Sequence, residues 1–373
     1  MLIASFNEPF HLAGWNIQPR TRYVVSHFFY ESIAKQCEAN KTTHWLGTVS
    51  NFASYARPYA GQNLNGRRLA VYRERGLGDN LMITALCGYI KHLYPDAAID
   101  VYTQPIAAPA WIGNEEVRLN LSNPPTFDGI QRTEYHLLLE GLFESDTEPD
   151  QRCAYDTYLH VAGFDPKRVG PEWKRPRLFL CGEDQNSFAE WSQKRPVRYV
   201  MWHWNPSGAV RMYPPALAQE AILRLAEHVD VVVCGDHNSP DIPPPVLREH
   251  PRIHSYVGTM GHWRFLFPVI AHAACVVAPD SSVAHAAECW PDVPVVGLWG
   301  PFSPDDRVKY YRNHHALTSN VCPYAPCRQQ YKDLPRAKCR GAEGYAGDDV
   351  QKYCRVMEAI PPQAIVDKVL SLI

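Results

Sequence analysis

From Arg198 to Gly300 the chain alternates short β-branched runs with segments of helical spacing, and few folds accommodate that alternation. "RYVMWHW" (Arg198–Trp204) reads as a strand and the turn "NPSG" follows it. "PALAQEAILRLAEHV" (Pro215–Val229) places apolar residues at helical spacing behind a proline suited to a first turn. Next come the strand "DVVVCGD", a helical segment around "HWRFLFPVIAHA", the strand "CVVAPD", the short helix "SVAHAAECW" and the strand "VPVVGLWG". Strands separated by helices imply a parallel sheet covered on both faces. A weaker version opens at Leu69: strand "LAVYR", a glycine loop, a helix to about Tyr94, then strands "AAIDVYT" and "EYHLLLEG". The fold class is therefore α/β, with two doubly wound parallel-sheet domains in series. Ligands of such sheets bind beyond the carboxyl ends of the strands, so the expected site is a cleft between the two sets of ends.

The Pro/Arg/Lys-rich "PKRVGPEWKRPR" (Pro166–Arg177) reads as a linker. It separates an N-terminal domain, residues 1–175, from a C-terminal domain, residues 176–345. Residues 346–373 are expected to form a C-terminal helix that packs back on the first domain. Residues 1–65 show no clear period and are expected to add a helical layer to that domain. A length of 373 residues suits two domains of ordinary size.

Lys+Arg number 37 against Asp+Glu 39, so no basic excess advertises a large nucleic-acid footprint. The opening "MLIASFNEPF" has no basic region and meets Glu8 early, unlike a signal peptide. The longest charge-free apolar stretch, Phe265 to Pro279, contains Pro268 and His272. It falls short of the roughly 20 residues a membrane span needs. The expectation is a soluble, cytoplasmic protein with no transmembrane segment.

Three loops follow strands and carry candidate chemistry. In "VVAPDSSVAHAAECW" (Val276–Trp290), Asp280 can cap the next helix, with Ser281 and Ser282 in its first turn and His285 a turn further on. Backbone N–H groups and small hydroxyls at a helix start suit a diphosphate; the alternative is an ordinary capped helix. In "WNPSGAVRMYPP", Asn205, Ser207 and Gly208 allow close approach of a ligand, and Arg211 offers a forked cation for phosphate. The alternative there is a surface turn. Weaker candidates are the loops "VVVCGDHNSPD" and "VGTMGHWRFL".

The third loop is "RERGLGDNLM" (Arg73–Met82). Gly76 and Gly78 permit tight backbone geometry, yet Asp79 would repel a bound phosphate. Asp79 instead suits proton abstraction from an attacking hydroxyl, or it caps a helix that starts near Asn80. No catalytic metal is expected, because D-x-D and H-E-x-x-H spacings are absent from the sequence. Cys322, Cys327, Cys339 and Cys354 cluster late in the chain, as reduced structural thiols or a weakly signalled zinc site.

Two of these stretches resemble one family. "RERGLGDNLMITALCGYIKHLYPDAAIDVYT" is similar to the opening of the heptosyltransferase-like glycosyltransferases (family 9), and "VVAPDSSVAHAAECWPDVPVVGLWGPFSPDDR" to its nucleotide-binding helix and following strand. The late cysteines resemble a cysteine-bearing tail in its members. "GQNLNGRRLAVYRERGLGDN" also looks like the entry to glycosyltransferase domains attached to bacterial tetratricopeptide proteins. The likeness covers roughly residues 62–105 and 197–360. It implies a GT-B fold, donor binding mainly by the C-terminal domain, and inverting, metal-independent transfer from a nucleoside-diphosphate sugar without a cofactor.

Position by position, Asp79 matches the family's proposed catalytic aspartate. Arg211 matches its phosphate-binding basic residue, usually lysine, ahead of the aromatic-proline pair that is here Tyr213-Pro214. Asp280 and His285 match the Asp and His of the nucleotide-binding helix. Ser281-Ser282 replaces the usual Thr-Gly, and residues 106–196, where an acceptor pocket would be shaped, match nothing. The acceptor implied is a glycan such as lipopolysaccharide. Alternatives are a protein side chain or a hydroxymethylated DNA base, with Arg67-Arg68 or "GPEWKRPR" touching a backbone, or a non-catalytic sugar-nucleotide-binding protein.

Overall fold

The run beginning at Leu69 is a strand in the computed structural model of the chain, and so are the other apolar runs named above. The structure describes residues 1–373 except 13–14, 44–45, 53–56, 122–125, 141, 143–152, 194–196, 207, 236–243, 259–262 and 329–352. It divides into two compact units, Met1–Phe179 and Leu180–Ile373.

The first unit opens with an antiparallel sheet, not the helical layer expected of residues 1–65. Strand β1 (Leu2–Phe6) is followed by a small hairpin of β2 (Phe10–Leu12) and β3 (Trp15–Ile17). Strands β4 (Tyr23–Val25) and β5 (Leu46–Asn51) then pair on either side of β1. Helix α1 (His27–Ala39) covers one face, packing Phe29 and Ile33 against Ala4, Phe6 and Val25. Ile3 and Val24 point the other way, onto Ala70, Tyr72 and Tyr102. Strand β1 is thus buried on both faces and β5 is mostly exposed, so neither shows the alternation that would mark a strand.

Beneath this layer lie β6 (Arg68–Tyr72), α2 (Leu77–Leu93), β7 (Ala98–Tyr102), β8 (Arg118–Asn120) and β9 (Tyr135–Leu138). The four strands are parallel, in the order β8-β7-β6-β9. The chain thus steps one way from β6, then returns to add β9 on its other side.

The second unit repeats the scheme at larger size. Its strands are β10 (Tyr199–His203), β11 (Asp230–Cys234), β12 (Ile253–Ser255), β13 (Cys275–Pro279), β14 (Val295–Leu298) and β15 (His314–Leu317). All pairings are parallel, in the order β12-β11-β10-β13-β14-β15. This is the order of a Rossmann sheet, with its reversal between β10 and β13. Helices α3 (Pro215–Ala226), α4 (Trp263–Ala271) and α5 (Ser282–Ala287) connect the strands. Burial on both faces explains why "DVVVC" and "CVVAP" are continuous β-branched runs. Two doubly wound parallel-sheet units in series are the GT-B architecture expected from the sequence.

Helix α6 (Pro362–Leu370), expected from the sequence to pack back on the first domain, belongs to the second compact unit and packs there on α3. Ile365, Val366 and Val369 form a stripe that completes the core of Trp202, Ile222 and Leu225. The Tyr213 hydroxyl donates to the Ile360 carbonyl at 2.7 Å and anchors the approach to that helix. Among the described residues, no helix is long and apolar enough to cross a membrane.

Ile365→Ala should therefore destabilise the second unit by about 2–5 kcal/mol, the usual cost of truncating a buried aliphatic. The change would appear as a lower urea midpoint at unchanged slope. A midpoint equal to wild type would place α6 outside the core.

Candidate active site

Where strand order reverses, the strand ends are left open to ligands. In the first unit this point falls between β6 and β9, and the residues following both strands are charged: Arg73 and Glu74 after β6, Glu140 after β9. Arg73 is only 3% exposed. Its Nε donates to the Arg75 carbonyl at 3.1 Å, its Nη1 to the Leu139 carbonyl at 3.1 Å, and its Nη2 lies 2.9 Å from Asp79 Oδ2. Glu140 Oε2 lies 3.7 Å from Arg73 Nε and accepts the Glu74 backbone N–H at 2.7 Å.

Glu74 is wholly buried and accepts from Ser26 Oγ at 2.5 Å and Gln104 Nε2 at 3.1 Å. Ser26 also caps α1, so the outer layer reaches into this cluster. Burial first, and the charge of Glu140 second, push the Glu74 carboxyl up to about 7 against those two hydrogen bonds.

Asp79 is not a helix cap. Helix α2 begins at Leu77, with Gly76 at its cap position and no side-chain cap bond, so Asp79 is its third residue. Gly76 has φ +78°, and a Cβ there would fall against Asp79 Oδ2. The glycine is required both by its backbone and by the carboxylate that fills its missing side chain. Gly78, by contrast, is an ordinary residue of the first helical turn. The loop's carbonyls are met internally: Asn80 Nδ2 donates to Arg75 O at 3.2 Å and Gly76 O at 3.0 Å, while Trp111 Nε1 holds Asn80 Oδ1 at 2.8 Å.

In the second unit the reversal falls between β10 and β13, whose last residues lead into His203–Asn205 and Asp280–Ser282. His203 Nδ1 and Ser281 Oγ meet at 3.0 Å across the gap. Asp280 does not cap α5, as the sequence suggested; Ser281 holds that position, with its side chain turned to His203 and no cap bond. Asp280 instead faces Arg211 and His285. Its carbonyl accepts from Arg211 Nη1 at 2.8 Å, and its carboxylate lies 3.5 Å from that nitrogen and 3.9 Å from His285 Nε2. His285 Nδ1 meets the Tyr311 hydroxyl at 2.6 Å. Buried Glu288, near the end of the same helical segment, accepts from Arg312 N and Nε, which fixes the turn carrying Tyr311.

Burial first, with Arg211 adding to it, pushes His203 down to about 3, so its ring is neutral at ordinary pH. His314, which accepts from Trp299 Nε1 at 3.0 Å, is pushed to about 3 by burial, then by His285 and His315. The second site thus gathers one permanent cation, two serines and neutral or hydrogen-bonded imidazoles, a set suited to an anion.

The structure brings together Arg211, Asp280, Ser281 and His285, with Ser282 opening α5 beside them. Asn205, two residues beyond β10, turns its side chain to the end of β11, where a Cβ on Gly235 would fall against its Oδ1. Ser207, the "DHNSPD" loop and the "TMGH" loop lie outside the described residues, as does Cys339. Cys322, Cys327 and Cys354 are thiols rather than disulfide halves. Burial first, with contributions from Cys327 and Cys322, pushes Cys354 up to about 11. Among the described residues no group of three or more His, Cys, Asp or Glu is arranged to hold a metal. Sequence reasoning missed Arg73, Glu74, Glu140 and His203, although each sits at the carboxyl end of a buried strand; it missed Tyr311 for want of any local signal.

No protein-family model matches the chain, and no curated protein matches it. Solved structures do. An ADP-heptose lipopolysaccharide heptosyltransferase II from E. coli aligns with TM-score 0.63 at 16% identity, over 82% of this chain and 98% of its own. A family 9 glycosyl transferase from Veillonella parvula aligns with TM-score 0.55 at 14% identity, over 69% and 86%. The iron-containing dodecameric glycosyltransferase TibC of enterotoxigenic E. coli gives TM-score 0.60 at 14% identity, over 83% and 76%. TibC has also been solved in complex with ADP-D-β-D-heptose. At these identities the likeness is one of fold.

The neutral histidines make a pH prediction. Unfolded histidine binds a proton below about 6.5, whereas folded His203 does so only near 3. The unfolded state therefore binds more protons across that window, and stability falls as pH falls. Each such histidine should contribute about 1.4 kcal/mol per pH unit. His203→Gln should make the slope shallower by one proton's worth between pH 6 and 4; an unchanged slope would refute a buried neutral His203.

Proposed function

We propose that the protein is a glycosyltransferase that moves a sugar from a nucleoside-diphosphate sugar to an acceptor hydroxyl, with inversion and without a metal-dependent step. The observation that carries this reading is the polar set at the second unit's strand reversal. Arg211, Ser281, Ser282 and His285 collect where sheets of this order bind nucleotides. Arg211 offers a charge-assisted donor to a diphosphate, and the serines and first N–H groups of α5 add neutral donors. Charge stabilisation of that kind serves a departing diphosphate without a cation from solution.

In this reading the first unit supplies the base. Asp79 takes the proton of the acceptor hydroxyl, and the oxygen's electron pair forms the new bond to the anomeric carbon. The bond from that carbon to the diphosphate oxygen breaks, and its electron pair leaves on the nucleoside diphosphate. Attack opposite the leaving group inverts the anomeric centre. The sugar-nucleotide complex of TibC makes ADP-D-β-D-heptose the first donor to try, with a lipopolysaccharide-type glycan as acceptor.

A thermal-shift panel of UDP, ADP, GDP, TDP and CMP in EDTA tests the donor site. A bound nucleotide at 100 times its Kd should add about 2.7 kcal/mol, and Arg211→Gln should remove most of that gain. No shift with any nucleotide would dismiss the second site as a donor site. Asp79→Asn should lower turnover by about 10²–10⁴-fold with nucleotide binding retained. Nucleotide binding without release of diphosphate from any sugar nucleotide would make the protein a binding module.

A further inference from the structure

The first unit's strand reversal holds more than a base. Arg73 places each of its side-chain nitrogens on a different element. Nε reaches the carbonyl of Arg75 in the loop, Nη1 the carbonyl of Leu139 after β9, and Nη2 the carboxylate of Asp79 in α2. Two of these three partners are backbone carbonyls, which do not move with side-chain rotation. The fork is therefore set before it meets Asp79. A planar guanidinium can serve such divergent acceptors at once, and a lysine ammonium cannot in the same geometry. Asp79 meets the fork from a defined side, because its carboxylate occupies the space left by the absent Cβ of Gly76. Glu140, the nearby competitor at 3.7 Å from Nε, is itself engaged by the Glu74 N–H.

We propose that Arg73 is a positioning residue for the transfer reaction: it fixes the Asp79 carboxylate at the angle from which the acceptor proton is taken. This rests on the reading of Asp79 as the base. The role of Arg73 is separate from donor binding, whose residues belong to the second unit.

A double-mutant cycle with ADP-D-β-D-heptose and a lipopolysaccharide-type glycan acceptor, following release of ADP, distinguishes positioning from plain structural support. Arg73→Gln should lower kcat by about 10²-fold, the scale of a displaced catalytic group, at unchanged KM for the sugar nucleotide. In an Asp79→Asn background the same substitution should cost nothing further. Equal losses in both backgrounds would overturn the proposal and leave Asp79 as the base. If Asp79→Asn alone is as active as wild type, the base reading fails instead. Should the glutamine variant not fold, Arg73→Lys keeps a cation beside Asp79 and Glu140 and carries the same cycle. Crystal structures of wild type and Arg73→Lys need no substrate. The proposal predicts an Asp79 carboxylate displaced from Gly76 in the variant, and an undisturbed carboxylate would overturn it.

Discussion

Strands of a parallel sheet end on the same side, and where their order reverses no connecting helix covers the ends. Both sheets of this protein have such a point, at β6/β9 and at β10/β13. The backbone and side-chain groups that gather there are cut off from the regular hydrogen-bond ladder and from much of the solvent. A buried charge in that setting is tolerated only when it is paired and hydrogen-bonded. The pairings at the two points differ in sign. Asp79 and Glu140 flank Arg73 in the first unit, and buried Glu74 feels the charge of Glu140, so carboxylates outnumber that buried cation. In the second, Arg211 and neutral His203 sit among hydroxyls with the single carboxylate of Asp280. An acid-rich point suits accepting protons and a cation-bearing one suits holding an anion, and this contrast underlies the division of labour proposed for the two units.

The sheets were legible because strands buried on both faces write unbroken apolar runs, and helices between them write a different period. The outer layer was not. Its strands are three to six residues long, β1 packs on two sides and β5 on almost none, so no single period describes them. Helix α6 shows a complementary limit. Its stripe of Ile365, Val366 and Val369 announces that a partner exists, but an apolar stripe carries no address, and α3 supplies a matching surface.

The site was legible where a residue's type is unusual for its place. An aspartate behind glycines, or serines after a buried strand, stand out. Arg73, Glu74 and Glu140 did not, because a charged residue next to a strand is most often solvated and nothing in its identity records burial. The one-residue shift at α5 has the same origin. Asp280 and Ser281 are both good cap types, yet neither makes that bond: the Ser281 hydroxyl meets a histidine 78 positions earlier in sequence, and the Asp280 carboxylate lies toward Arg211 and His285. Tyr311 reaches His285 across a turn held by Glu288 and Arg312, a contact that spacing alone cannot suggest.

The glycine loop shows why a phosphate-loop appearance misleads here. A phosphate loop turns its backbone N–H groups toward a ligand anion and relies on the positive end of the following helix. In this loop the anion at the start of α2 is Asp79 itself, seated over Gly76 and held by Arg73. Asn80 takes the carbonyls of Arg75 and Gly76, and Trp111 secures Asn80, so the loop closes on its own side chains. A second anion at that helix start would meet a resident carboxylate. At α5 the cap position carries Ser281, whose hydroxyl is directed to a neutral histidine rather than to the helix N–H groups, with the Arg211 cation alongside. Neither helix has a side-chain cap bond, but only the first turn of α2 is filled by its own carboxylate, and this difference is the ground for the separate roles proposed for the two units.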